Sequence, residues 1–220
     1  MYLPDNEAGL PDNMVAAAVY VQAGDPSHAA IIIRYEGETY SLHFYGKIRL
    51  ESPKKALDEG TFIVVKELDF IPAFLIPSFL AHCELIAENA KPDYGFFYDP
   101  RSFYDASGKF QNPGSFPEYM TCVGFCLTVI QSYINPEQYL FYADWDQRSF
   151  DQDPIIQAYQ MLSIRQNNPD LKVEDLLAAV RRILPIEYFS GAYSRNRPTR
   201  KTFTDFVSNQ VRVEIGKLVA

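Results

Sequence analysis

Between Met14 and Leu68 the chain lays down four short β-type segments, and from Pro72 onward its apolar spacing turns helical. Met14–Gln22 is a continuous apolar run with β-branched and aromatic members, the pattern of a buried strand. Gly24-Asp25-Pro26 ends it. Ser27–Tyr35 and Glu38–Tyr45 read as the next two strands, with Glu36-Gly37 between them suited to a tight hairpin turn. Thr61–Leu68 is the fourth, after one or two helical turns over Pro53–Glu59. Strands followed by helices, rather than alternating with them, predict an α+β domain built on an antiparallel sheet.

The later segments are sorted by the same periodicity. Pro72–Ala90 is expected to be helical despite Pro77, and Lys91–Glu118 is loop-like and rich in Gly, Pro, Tyr and Phe. A helix starts near Thr121, runs to about Tyr133 and stops at Asn135-Pro136. Asp153–Gln166, Val173–Leu184 and Phe203–Leu218 are expected as amphipathic helices. The organisation predicted is an α+β domain over 1–150 and a helical annex over 151–220, packed on the same core.

Composition removes several classes of function. With 220 residues, 47% of them apolar, the chain is large enough for one substantial core. Its formal charge is −8, and the densest basic cluster is Arg195, Arg197, Arg200 and Lys201. A nucleic-acid partner is not expected, because phosphate contacts dominate such binding. No apolar run approaches the ~20 residues of a membrane helix. Met1–Glu7 lacks the basic and apolar regions of a signal peptide, and three cysteines are an odd number. A reducing, cytoplasmic setting is the expectation.

The chemistry-bearing residues are few. Cys122 opens the apolar stretch Cys122–Ile130 directly after Thr121, a residue suited to cap a helix. A thiol in the first turn of a helix sits among free backbone N–H groups, which favour thiolate and can hold an oxyanion. Far upstream, His28 heads the segment His28–Ile33. With a two-residue turn at Glu36-Gly37, Tyr35 faces Glu38, His28 faces Tyr45, and His43 lies on the face of His28 one diagonal step away. A slip of one residue would send His43 to the other face. In the expected register His28 can act as base to Cys122, and His43 can orient it.

Plainer readings stand beside these. Free cysteine is among the most buried residue types, so packing alone could explain Cys122; Cys83 and Cys126 are read as core. His82 and Cys83 are adjacent on a helix and do not face each other. His43 could instead be a surface residue of its strand. A zinc site of His28, His43 and Cys122 lacks paired ligand spacing, and no cofactor is expected. Asp144, Asp146, Asp151 and Asp153 do not match a calcium loop. The aromatics of 94–119 either bury their loop or wall a cleft beside Cys122.

His28-Ala-Ala-Ile-Ile-Ile33, Gly37, Tyr40-Ser-Leu-His43 and Cys122-Val-Gly-Phe125 together resemble the papain-like NlpC/P60 superfamily, in particular its circularly permuted branch. That branch includes lecithin–retinol acyltransferase-like proteins and bacterial permuted amidases, and in it the histidine strand precedes the cysteine helix. The resemblance covers roughly 14–135. It implies Cys122 as nucleophile, His28 as base, His43 as third member, and hydrolysis of a peptide-type amide or an ester through an acyl-enzyme. The asparagine-cysteine-glutamate-histidine signature of the animal acyltransferases is absent, which weighs against lipid acyl transfer. The alternative function is a non-catalytic module that binds a peptide or protein on the same scaffold.

Overall fold

The computed structural model describes residues 10–56, 61–95, 98–114, 117–145 and 182–219. The helix expected over Asp153–Gln166 and nearly all of that over Val173–Leu184 lie outside the described residues, as do Asp146, Asp151, Asp153, Phe96, Phe97 and Phe116. The rest is a mixed α+β fold. A five-stranded antiparallel sheet carries β1 (Met14–Gln22), β2 (Asp25–Tyr35), β3 (Glu38–Phe44), β4 (Ile48–Glu51) and β5 (Thr61–Glu67), in the order β4-β3-β2-β1-β5.

Two tight hairpins set the register of its centre. Ala23 and Gly24 (φ 50° and 81°) join β1 to β2, and Glu36 and Gly37 (φ 50° and 82°) join β2 to β3. Two successive positive φ angles are the requirement of a type I′ turn, whose twist matches that of the flanking strands. Tyr35 therefore pairs with Glu38, and Ala30 with His43. Between β1 and β2 the register shifts after Tyr20, so Tyr20 pairs with His28 and Val21 with Pro26. This irregularity lets β2 begin at Asp25, two residues earlier than the apolar pattern suggests. β4, a four-residue edge strand, is not evident in the pattern at all.

The described helices are α1 (Ile76–Asn89), α2 (Cys122–Ile134), α3 (Pro185–Gly191) and α4 (Lys201–Val219). Pro77 falls in the first turn of α1, where its missing N–H costs nothing, and so it begins this helix instead of breaking it. On one face of the sheet, Val15, Ala17, Val19, Ala29, Ile31, Leu42 and Phe44 meet Phe79 of α1, Phe125 and Val129 of α2, Tyr188 and Phe189 of α3, and Val211 and Ile215 of α4 in one continuous core. Ala16, Ala18, Tyr20, Ala30, Ile32, Ile63 and Val65 cluster on the opposite face. β1 is buried on both faces, which explains its unbroken apolar run.

The helix-bearing face is tied by more than apolar contact. Tyr188 donates its hydroxyl to the Ala30 carbonyl at 3.1 Å, fixing α3 to β2, and Tyr139 donates to the Tyr188 carbonyl at 3.0 Å. Phe125 is fully buried, its ring 6.1 Å from those of Phe44 and Tyr104. Phe125→Ala should cost about 3–5 kcal/mol, since it removes a large ring from a packed site. Phe206→Ala, at a position 63% exposed on α4, should stay within about 0.5 kcal/mol of the parent. Urea denaturation of the two variants checks this, and similar losses at both positions would contradict the packing described.

Candidate functional site

Thr121 has extended backbone, and its side-chain oxygen accepts the Gly124 N–H at 3.1 Å, so α2 begins at Cys122 as a capped helix. A Cβ on Gly124 would lie 3.1 Å from the Met120 Cβ, so the glycine makes room for the chain's own Met120. Of the three cysteines, Cys83 and Cys126 are buried and Cys122 alone is partly exposed. The Cys122 thiol packs onto the helix-bearing face of the sheet, against the backbone of Ala29 on β2.

Burial pushes the Cys122 thiol up; the backbone N–H groups of Ala29, Val123 and Cys122 itself, with the Arg182 charge, pull the other way. The net direction is upward. The helix start favours thiolate as expected, but desolvation of the charged sulfur outweighs it; the dipole's effect is ~0.3–1 kcal/mol at exposed sites. Cys126, completely enclosed one turn later, is pushed up further by the same cause.

The two histidines come together. His28 Nε2 and His43 Nδ1 are 3.1 Å apart, with the rings edge-on at 5.2 Å between centroids. His43 is buried, and its Nε2 lies 3.3 Å from Glu51 Oε1. The Tyr20 ring packs against both imidazoles at 5.5 and 5.7 Å, and its hydroxyl bonds Ser41 Oγ at 2.8 Å. Burial pushes Tyr20 up to about 12, so it remains a neutral phenol. The exposed ring of Tyr45 stands edge-on to His28 at 5.8 Å.

The placement of thiol against imidazole is less direct than the strand pattern suggests. Ala29, which the thiol touches, immediately follows His28. Yet the His28 ring turns to the face of Tyr20 and Ala30, whereas Cys122 approaches from the face of Ala29 and Phe44. The two groups thus meet β2 at consecutive residues from opposite faces. No hydrogen bond joins them, and His28 Nδ1 makes none to any described residue.

Glu51 was missed because β4 was missed; only the pairing of His43 with Arg49 brings it beneath the imidazole. The loop aromatics divide. Tyr104 is buried, and Tyr98 packs on Tyr142 at 5.1 Å, so these rings hold the loop to the core. Tyr94 is 53% exposed, and its hydroxyl, raised first by burial, also feels the Cys122 charge. His82 is held away from the site by the Asp105 carbonyl at 2.6 Å. Among the described residues no group of three or more His, Cys, Asp or Glu is placed to hold a metal ion, and no helix is long and apolar enough to cross a membrane. No family model, curated protein or solved structure matches the chain.

His28 gives the site a pH signature. Burial, then the neighbouring His43 charge, pushes it from 6.5 down to about 4. A base depressed on folding contributes stability that is fully present above its unfolded value and is lost as pH falls toward the folded one. The window is pH 6.5 to 4, and the loss should reach about 2 kcal/mol by pH 5. Urea midpoints of the parent and His28→Gln, compared at pH 7 and pH 5, isolate this contribution, because the carboxylates common to both cancel. Parallel pH dependence in the two proteins would contradict it.

Proposed function

We propose that the chain is a cysteine-dependent hydrolase with a permuted papain-like fold of the NlpC/P60 kind, acting on a peptide-type amide or an ester. The observation that carries this reading is Cys122: the one partly exposed cysteine, at the capped start of α2, seated against Ala29, the residue that follows His28 of the hydrogen-bonded pair His28–His43. The strand–turn–strand–helix order of these residues is that of the permuted branch.

The chemistry starts from uncharged partners, since burial favours the neutral thiol and neutral imidazoles. Sγ attacks the carbonyl carbon as the Sγ–H proton passes to His28 Nδ1, which makes no hydrogen bond to any described residue. The oxyanion forms beside the first N–H groups of α2, those of Cys122 and Val123. Collapse breaks the carbon–nitrogen or carbon–oxygen bond, and the imidazolium returns the proton to the leaving amine or alcohol. Water, deprotonated by the same imidazole, then cleaves the thioester and releases the acid. The step requires the start of β2 to rearrange so that Nδ1 comes to the face from which Sγ approaches Ala29; catalytic hydrogen bonds are commonly loose without substrate and tighten with it.

Alkylation by iodoacetamide, followed at each cysteine by peptide mass spectrometry, tests the pair. Cys122 should react at least about tenfold faster in the parent than in His28→Ala, in line with the usual contribution of a general base. An aryl ester should leave a transient acyl mass on Cys122 that Cys122→Ala lacks. Equal alkylation in both proteins with no acyl adduct would favour a non-catalytic peptide-binding module on this scaffold.

A further inference from the structure

We infer that Glu51 is a positioning residue: through His43 it fixes the tautomer of both histidines and leaves His28 Nδ1 as the one basic nitrogen of the cluster. The inference stands on two consecutive atom pairs and on the donor–acceptor rules of imidazole. A carboxylate oxygen only accepts. The 3.3 Å contact from Glu51 Oε1 to His43 Nε2 is therefore a hydrogen bond only when His43 Nε2 carries the proton. In a neutral imidazole the other nitrogen is then a lone pair, so His43 Nδ1 accepts. Its partner at 3.1 Å, His28 Nε2, must donate, which places the His28 lone pair on Nδ1.

The opposite order fails at its end. If His28 Nε2 accepted from His43 Nδ1–H, His43 Nε2 would present a lone pair to the carboxylate, acceptor against acceptor. Burial of His43 keeps water from bridging that mismatch. Other groups near the chain do not reverse it. Arg49 Nη1 lies 3.6 Å from Glu51 Oε1 and adds a cation on the carboxylate side, while Tyr20 and Tyr45 present rings to the imidazoles. Orientation of a functional imidazole by a carboxylate on its far side is a general device; here it is relayed through a second imidazole. The consequence for catalysis rests on the hydrolase reading, whereas the tautomer order does not.

The test is a long-range proton–nitrogen correlation spectrum of the imidazoles in the full ¹⁵N-labelled chain at neutral pH. Wild type should show His28 and His43 each as a single Nε2–H tautomer. His82 supplies an internal reference, because its 2.6 Å contact to the Asp105 carbonyl also demands Nε2–H and lies outside the cluster. In Glu51→Leu both cluster histidines should lose the single tautomer, their two nitrogen shifts moving toward each other, while His82 is unchanged. Glu51→Gln, close in shape but able to donate or accept, should show the same mixing and guards against a folding defect in the leucine variant. A His28 Nδ1–H tautomer in the wild type, or spectra unmoved in both variants, would overturn the assignment. Because no turnover is measured, that result is distinguishable from a failure of the thiol alkylation experiment.

Discussion

The tip of one hairpin governs where both cluster histidines sit. Glu36 and Gly37 take positive φ angles, and the two-residue turn they form pairs Tyr35 with Glu38 and Ala30 with His43. Glu36 is not glycine, and left-handed backbone costs such a residue roughly 1–2 kcal/mol. The matched twist of the strands and the buried ladder behind it offset that cost. A turn one residue longer would invert β3 against β2. His43 would then enter the helix-bearing core in place of Phe44, and the histidine pair would be lost. The polar cluster of Tyr20, Ser41, His28, His43 and Glu51 is in this sense a product of turn geometry.

Around the thiol, two opposing electrostatic effects meet on one atom. The start of α2 and the Ala29 N–H favour negative sulfur, and so does Arg182; removal from water disfavours it more. The imidazoles are subject to the same burial and are driven neutral. A site with neutral partners at rest carries no buried charge that must be paired, which suits a region otherwise built from alanine, valine and aromatic side chains. Charge then has to develop during the attack, when the N–H groups of the first helical turn can answer it.

Much of this arrangement is legible in the residues, and the illegible part has a definite cause. The bounds of β1 and the start of α2 follow from apolar runs ended by turn residues and from a threonine cap. The β2–β3 register follows from Glu36-Gly37, and with it the shared face of His28 and His43. What alternation cannot supply is which face of a sheet a distant helix will choose. The pattern of β2 says that 28 and 29 point opposite ways, but not that α2 packs on the side of 29. Hence the thiol's direct neighbour is Ala29, and the imidazole lies across the strand. Glu51 was hidden for a different reason. Ile48–Glu51 is too short and too charged to read as a strand alone, and only its pairing with β3 makes it one.

Small side chains explain how a helix terminus comes so close to backbone. Ala29 and Ala30 follow His28 directly, and Ala16, Ala17 and Ala18 lie along the adjacent strand, all fully buried. At Ala29 the absence of atoms beyond Cβ lets the first turn of α2 settle onto β2, so that an N–H of the strand and those of the helix converge on one sulfur. The Ala30 carbonyl accepts the Tyr188 hydroxyl, which ties α3 to the same strand. A branched residue at 29 would have to displace α2, because close-packed interiors absorb added methyl groups only by moving neighbours. The thiol would then leave both the Ala29 N–H and the neighbourhood of His28. The alanines therefore set the reach between nucleophile and strand, just as the hairpin turn sets the pairing of the imidazoles.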